Sequence, residues 1–251
     1  MGIPVEAQAT ARALAVFPEL VPQDSLWKDS RQPFRRLKRS KPVVVNRDIS
    51  PDHARLRAST LSFSNLHHHG ELMIDYLRAR RETFIDTKGW DLPQVDGMEF
   101  DQYDTPYARW IVLHEYGEVM AGVRLIPTDR TCGLHSYMIR DAQLGLLPNI
   151  PSDLLYMDAP TKPYIWEATR LFVVPSVPSN RRIAIQTLLM QQMSSTARDL
   201  GASHVIGIVP AVFSRWMTRL GLLSALPVGR LMDFDNEKSQ AALMNVSLQS
   251  S

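Results

Sequence analysis

Hydrophobic positions fall into a helical period in two long stretches and into strand-like runs between them. From Glu71 to Asp86, the residues Met73, Tyr76, Leu77, Arg80 and Phe84 recur at three- and four-residue steps, which marks one face of a helix. Asn180–Leu200 repeats the pattern over a longer span, with Ser179 or Asn180 placed to cap it and Gly201 just past its end. Leu56–Phe63 alternates weakly, as a strand does. Tyr107–Tyr116 and Val119–Ile126 flank Gly117–Glu118 and predict a hairpin. Tyr164–Val174 is a strand ended by Pro175, and His204–Val209 a short buried one. A helix over Val212–Leu220, closed by Gly221, and a late strand at Ala242–Leu248 complete the order. A helix, antiparallel strands, then alternating strand and helix predict a mixed α/β (α+β) domain over residues 56–251.

Composition narrows the class. The 251 residues are 45% hydrophobic and 22% charged, which suits one sizeable globular domain and excludes wholesale disorder. No apolar run approaches the roughly 18–20 residues of a membrane span. The N-terminus lacks a basic start followed by an apolar core, so no secretion signal is expected. The single cysteine, Cys132, forms no internal disulfide and offers no zinc-ligand spacing, so a cytoplasmic protein without a metal is expected. His67, His68 and His69 are consecutive, which makes it hard for all three to face one ion, and they are expected in solvent.

The formal charge of +2 changes meaning once it is localised. Arg31, Arg35, Arg36, Lys38, Arg39 and Lys41 lie together with no acid among them, and setting these six aside leaves −4 for the rest. Residues 1–55 therefore read as a basic, partly irregular N-terminal extension, with Pro33 and Pro42 opposing a continuous helix. Only Phe34 interleaves with the basic run, so a stacking platform for nucleic acid is not expected.

Charged residues inside apolar elements are the informative feature. Arg80 lies within the apolar stripe of its helix, Arg124 interrupts Val119–Ile126, and Glu167 and Arg170 sit inside Tyr164–Val174. Unpaired buried charges cost several kcal/mol, so partners must exist, and Glu99, Asp101 and Asp104 are the nearest concentration of acids. Such a network either organises a site or simply locks a fold. Glu167 and Arg170 are three apart and would face opposite sides of a regular strand, so a shared site demands a β-bulge between or beside them.

Taken together, Arg80-x-x-x-Phe84-x(5)-Trp90, Glu99-Phe-Asp101-x-Tyr-Asp104, Gly122-Val-Arg124-Leu-Ile-Pro-Thr and Trp166-Glu167-x-x-Arg170 resemble the signature of the LuxI-type acyl-homoserine-lactone (autoinducer) synthases. Gly201-Ala-Ser-His-Val-Ile-Gly and Arg215-x-x-x-Arg219-Leu-Gly221 resemble that family's last strand–helix unit, so the likeness runs over roughly residues 56–235. The resemblance implies a GNAT-like fold: a bent mixed β-sheet, splayed in the middle and flanked by helices. It implies a cytoplasmic acyltransferase that joins an acyl group, from acyl-carrier protein or acyl-CoA, to S-adenosyl-L-methionine. Methylthioadenosine leaves and an N-acyl-L-homoserine lactone remains, a quorum-sensing signal. Both reactants are substrates, and no further cofactor is implied.

Carried onto this chain, the resemblance puts Arg80, Asp101, Asp104, Arg124 and Arg170 around the S-adenosylmethionine pocket, with Phe84 and Trp90 as its aromatic wall. A sulfonium is well received by aromatic faces and carboxylates. The attacking amine must first lose a proton, and Glu167, a carboxylate in an apolar strand, is the expected catalytic base. The helix starting near Asn180 would meet the donor's phosphopantetheine, with Arg181 and Arg182 adding charge for the carrier or CoA. The run Pro175–Arg182 has no glycine-rich pyrophosphate loop, which mildly favours the carrier protein. Gly207 stands where 3-oxo-making members often have threonine, so an acyl group without a 3-oxo substituent is expected. Two alternatives remain: a GNAT-fold N-acyl amino acid synthase, and a non-catalytic binding protein that keeps the fold.

Overall fold

A computed structural model describes residues 55–213, 217, 224–234 and 237–247. The basic arm Arg31–Lys41 and residues Arg215, Arg219 and Gly221 lie outside them, as does most of the helix expected over Val212–Leu220. The chain enters through β1 (Arg57–Leu61) and α1 (Leu72–Arg81), then makes a small ribbon of β2 (Gln94–Val95) and β3 (Met98–Glu99). Next come β4 (Arg109–Glu115), β5 (Glu118–Pro127), the short α2 (Met138–Gln143) and β6 (Ile165–Val173). The long α3 (Ser179–Asp199) leads to β7 (His204–Pro210), followed by β8 (Ser224–Pro227), β9 (Met232–Phe234) and β10 (Glu237–Asn245). Among the described residues no helix is long and apolar enough to cross a membrane.

The main sheet runs β1-β4-β5-β6-β7-β10-β8, with β9 beside β10. Every neighbouring pair is antiparallel except β6 and β7, which pair in parallel only from Ile165 to Glu167. Both strands continue beyond that pairing, so the sheet splays there, and the mixed α/β expectation holds. Gly207 sits at the start of the gap, where an added Cβ would lie 3.0 Å from the Ala168 carbonyl oxygen. The hairpin joining β4 and β5 turns on Tyr116 (φ 53°) and Gly117 (φ 91°), the paired left-handed residues of a tight two-residue turn.

Helix α1 lays Leu72, Tyr76, Leu77 and Arg80 on the sheet. It then departs from the regular helix expected as far as Asp86: Glu82–Thr87 form a π-helical turn, closed by Lys88 N–H to the Thr83 carbonyl. Widening the turn re-aims the side chains that follow, and such turns recur at functional sites. Here it buries Phe84. Gly122 makes the close approach of α1 possible, because a Cβ there would collide with the Tyr76 ring and stand 3.2 Å from Phe172. Gly122→Ala is therefore expected to lower stability by about 1–3 kcal/mol through overpacking, read as a drop in the thermal midpoint.

Candidate active site

Six of the buried charges, Arg80, Arg124, Arg170, Glu99, Asp101 and Asp104, pair with one another in a closed circuit. Glu99 bridges Arg80 and Arg170; Asp104 bridges Arg80 and Arg124; Asp101 bridges Arg124 and Arg170. Arg80 Nη1 donates to Asp104 Oδ1 at 2.7 Å and Nη2 to Oδ2 at 3.1 Å, while Arg124 makes the same forked contact with Asp101 at 2.6 and 3.0 Å. Arg170 closes the ring onto Glu99 at 3.1 Å and Asp101 at 2.9 Å. Three guanidiniums alternate with three carboxylates, so the ring is neutral while each member is desolvated. The backbone N–H of Asp101 and the Trp110 indole N–H donate to Asp104 as well. Arg80, Glu99 and Arg124 are wholly inaccessible, and Asp101, Asp104 and Arg170 keep only 6%, 5% and 7% exposure.

Local backbone geometry delivers Arg170 to this ring. Between Gly122 and Arg124 the β5 strand advances by two residues while β6 advances by three, from Phe172 to Thr169. The extra residue makes a bulge, and Arg170 adopts a left-handed φ of 53° within it. Neighbouring residues that a flat strand would send to opposite faces now serve one network. Thr169 accepts a hydrogen bond from Arg124 Nε at 3.1 Å, and Arg170 binds Glu99 directly. The bulge demanded by the Glu167–Arg170 spacing is present.

The aromatic wall stands beside the ring. Phe84 and Trp90 stack at 4.9 Å with 13° between their planes, and the Arg170 guanidinium lies 5.7 Å from the Phe84 centroid. Lys88, which the sequence reading did not single out, places its ammonium 4.7 Å from the Phe84 centroid and 4.8 Å from that of Trp90. The protein's own cations thus already lie against these ring faces at cation–π distances.

Glu167 is wholly buried and turns to α2: Oε2 accepts the Met138 N–H at 3.0 Å and Oε1 the Ile139 N–H at 2.8 Å. Burial raises its carboxyl to about 8, against the lowering effect of those two amides and Arg124, while the charge of Asp141 adds to the rise. Glu99 behaves oppositely. Burial pushes it up, but Arg170 and Arg80 prevail and hold it down at about 2. Asp104 is held far below the usual carboxylate range: burial opposes this, and Arg124 and Arg80 outweigh it. A carboxyl with a depressed folded value contributes stability that is complete above its unfolded value and lost as pH falls through the folded one. The Glu99 contribution is therefore expected to fall away as pH drops from about 4.5 through about 2, and that of Asp104 to persist to lower pH, measured as denaturation midpoints along a pH series.

The first turn of α3 uses its basic residues inwardly. Arg181 Nη1 donates to Glu115 at 3.0 Å, and Arg182 donates to the carbonyls of Val174, Pro175 and Val177. The β6–α3 connection is thus tied to the helix that follows it. His67 and His68 are exposed as expected, His69 is instead half-buried, and Cys132 is an exposed thiol. Sequence reasoning placed Glu99 among the acids but gave it no site role, although it is the carboxylate shared by Arg80 and Arg170. Tyr103, His135 and Asp141 went unnoticed as a group because each lies in a loop or short helix without periodicity.

Comparison with known proteins agrees with this geometry. The autoinducer synthase family model matches residues 64–251. An acyl-homoserine-lactone synthase of Pseudomonas fluorescens is 29% identical over 172 residues, which cover 67% of this chain and 77% of that protein. An isovaleryl-homoserine lactone synthase of Bradyrhizobium diazoefficiens is 25% identical over 190 residues, covering 75% and 80%. Among solved structures, the CoA-dependent acyl-homoserine lactone synthase BjaI with SAM and isopentyl-CoA superposes with a TM-score of 0.63 at 23% identity, over 78% of this chain and 85% of that one. The AHL synthase LasI gives 0.61 at 20% identity, over 76% and 90%.

Proposed function

This chain belongs to the autoinducer synthase family and is an acyl-homoserine-lactone synthase, and on that premise we propose how its residues divide the work. The observation that carries the proposal is the neutral ring of three arginines and three carboxylates set against the Phe84–Trp90 stack. The aromatic faces and the edge of the ring at Asp101 and Arg170 receive S-adenosylmethionine, the sulfonium against the aromatic faces and its polar groups against the edge. Phe84, Trp90, Asp101 and Arg170 line this pocket, while Arg80, Asp104 and Arg124 hold it rigid from behind.

In the proposed reaction the amine of S-adenosylmethionine attacks the acyl thioester carbonyl, and the thiol of the carrier leaves. Glu167 takes the amine's proton, directly or through one water. Each of its oxygens keeps a lone pair beside the backbone N–H it accepts. Raised to about 8, its proton affinity lies close to that of an amino-acid amine, so transfer between them has little free-energy cost. The substrate carboxylate then closes on the carbon next to sulfur and expels methylthioadenosine. The sulfonium is its own leaving group, so neither step calls for a metal or prosthetic group. Substrates of this kind, S-adenosylmethionine and a thioester on carrier protein or CoA, support a cytoplasmic location.

The acyl chain enters the gap between β6 and β7, and its donor approaches the first turn of α3 near Arg181 and Arg182. BjaI, which shares the fold, is described with isopentyl-CoA, and that supports an acyl thioester on CoA as well as on carrier protein. Gly207 brings no side-chain donor to the gap, and a larger residue there would press on the Ala168 carbonyl, which supports a chain without a 3-oxo group. Incubating the protein with S-adenosylmethionine and matched panels of acyl-carrier and acyl-CoA thioesters, with products read by mass spectrometry, tests each part. A lactone with stoichiometric methylthioadenosine is the expected outcome; an N-acyl amino acid without methylthioadenosine would refute the reading.

A further inference from the structure

Behind Glu167 lies a second buried carboxylate that the ion ring does not use. Asp141, in α2, is wholly inaccessible and gathers four donor groups. Tyr103 Oη and His135 Nδ1 each lie 2.9 Å from its Oδ2, and the Ser136 hydroxyl and backbone N–H reach its Oδ1 at 2.8 and 3.1 Å. Glu167 holds the next amides along, those of Met138 and Ile139. Two carboxylates therefore clamp the single turn Ser136–Ile139 through its backbone N–H groups. The clamp also touches the ring, because the Tyr103 face lies 5.8 Å from the Arg124 guanidinium. His135 stands edge-on to Tyr103 at 6.0 Å.

We infer that Asp141 is a positioning residue for the acyl transfer: it fixes the turn that Glu167 grips, and it places a second buried negative charge behind that carboxylate. The inference rests on Glu167 being the proton acceptor. The charged and titratable groups facing Glu167 are Arg124 from β5, Asp141 from α2, Tyr137 at the start of α2 and Tyr103 from the segment before β4. Arg124 favours the ionised carboxylate, and Asp141 opposes it. Arg124 is already paired with Asp101 and Asp104, whereas the Asp141 charge meets only hydrogen-bond donors. The four donors around Asp141 damp its field at Glu167, and removing one strengthens that field.

The signs of two substitutions then differ. Asp141→Asn removes the charge and is expected to move the acid limb of the kcat/KM profile down, by less than about one pH unit. Tyr103→Phe keeps the ring against Arg124 and His135 but removes a donor from Asp141, so the limb should move up. A purely structural loosening would admit water and move both limbs down. Shifts of the same sign, or none, overturn the inference. Should Asp141→Asn fail to fold, the direction of the Tyr103→Phe shift decides alone: upward supports the inference, and downward or none refutes it. Glu167→Gln keeps the premise separate. Full turnover in that variant means Glu167 is not the proton acceptor; lost turnover there, with a limb that stays put in both other variants, sinks only the role of Asp141.

Discussion

Arg80→Ala is expected to destabilise the fold by about 3–5 kcal/mol, or to prevent folding, because it leaves Glu99 and Asp104 each short of a partner in a dry interior. The energy lost is mainly the penalty of stranding charge, not the net worth of the ring. Arg80 donates to both neighbours and is itself fully enclosed, so no solvent enters cheaply to replace it. Chemical denaturation at pH 7 measures the effect. At pH 2, where Glu99 has lost most of its contribution, the two chains should differ less. An unchanged midpoint at neutral pH would contradict the buried-pair account.

Glu167→Gln should reduce turnover by roughly 100- to 10,000-fold, the usual contribution of a positioned base. S-adenosylmethionine binding should survive, since Glu167 donates nothing to the ring or the aromatic wall. Glutamine keeps one acceptor for the α2 amides but turns its NH2 toward the other, so some loss of stability accompanies the change. Calorimetric titration with S-adenosylmethionine separates the two effects. Turnover of the unaltered enzyme should climb as pH rises through about 8, where Glu167 ionises. Full activity in the variant would remove Glu167 from the chemistry.

The elements with strong periodicity were legible from residues alone. The β4–β5 hairpin followed from two strand-like runs around Gly117, and α3 from its apolar stripe, although Pro178 and not Ser179 takes the capping position. Buried charges were legible because arginine in a valine-rich run has no inexpensive explanation. A bulge was legible from the three-residue spacing of Glu167 and Arg170, a rare instance of covalent arithmetic predicting backbone irregularity. Three features were not. The π-helical turn at Glu82–Thr87 has the same amphipathic spacing as the helix it interrupts, so periodicity cannot detect it. The inward use of Arg182 depends on carbonyls presented by the Val174–Val177 turn, which no composition encodes. The grip of Glu167 on α2 joins residues 28 and 29 positions apart through a loop whose path only tertiary packing sets.

The ribosome makes the members of the charged ring in order, and the order matters. Arg80, Glu99, Asp101, Asp104 and Arg124 emerge first, while Arg170 follows after a further 45 residues have been synthesised. Until then the nascent chain holds three acids against two bases, with no β6 to complete the middle of the sheet. The N-terminal half is thereby poorly suited to stand as an independent folding unit. Sheltering by a chaperone, or swift translation through β6, suits such a molecule better than stepwise assembly from its first hairpin.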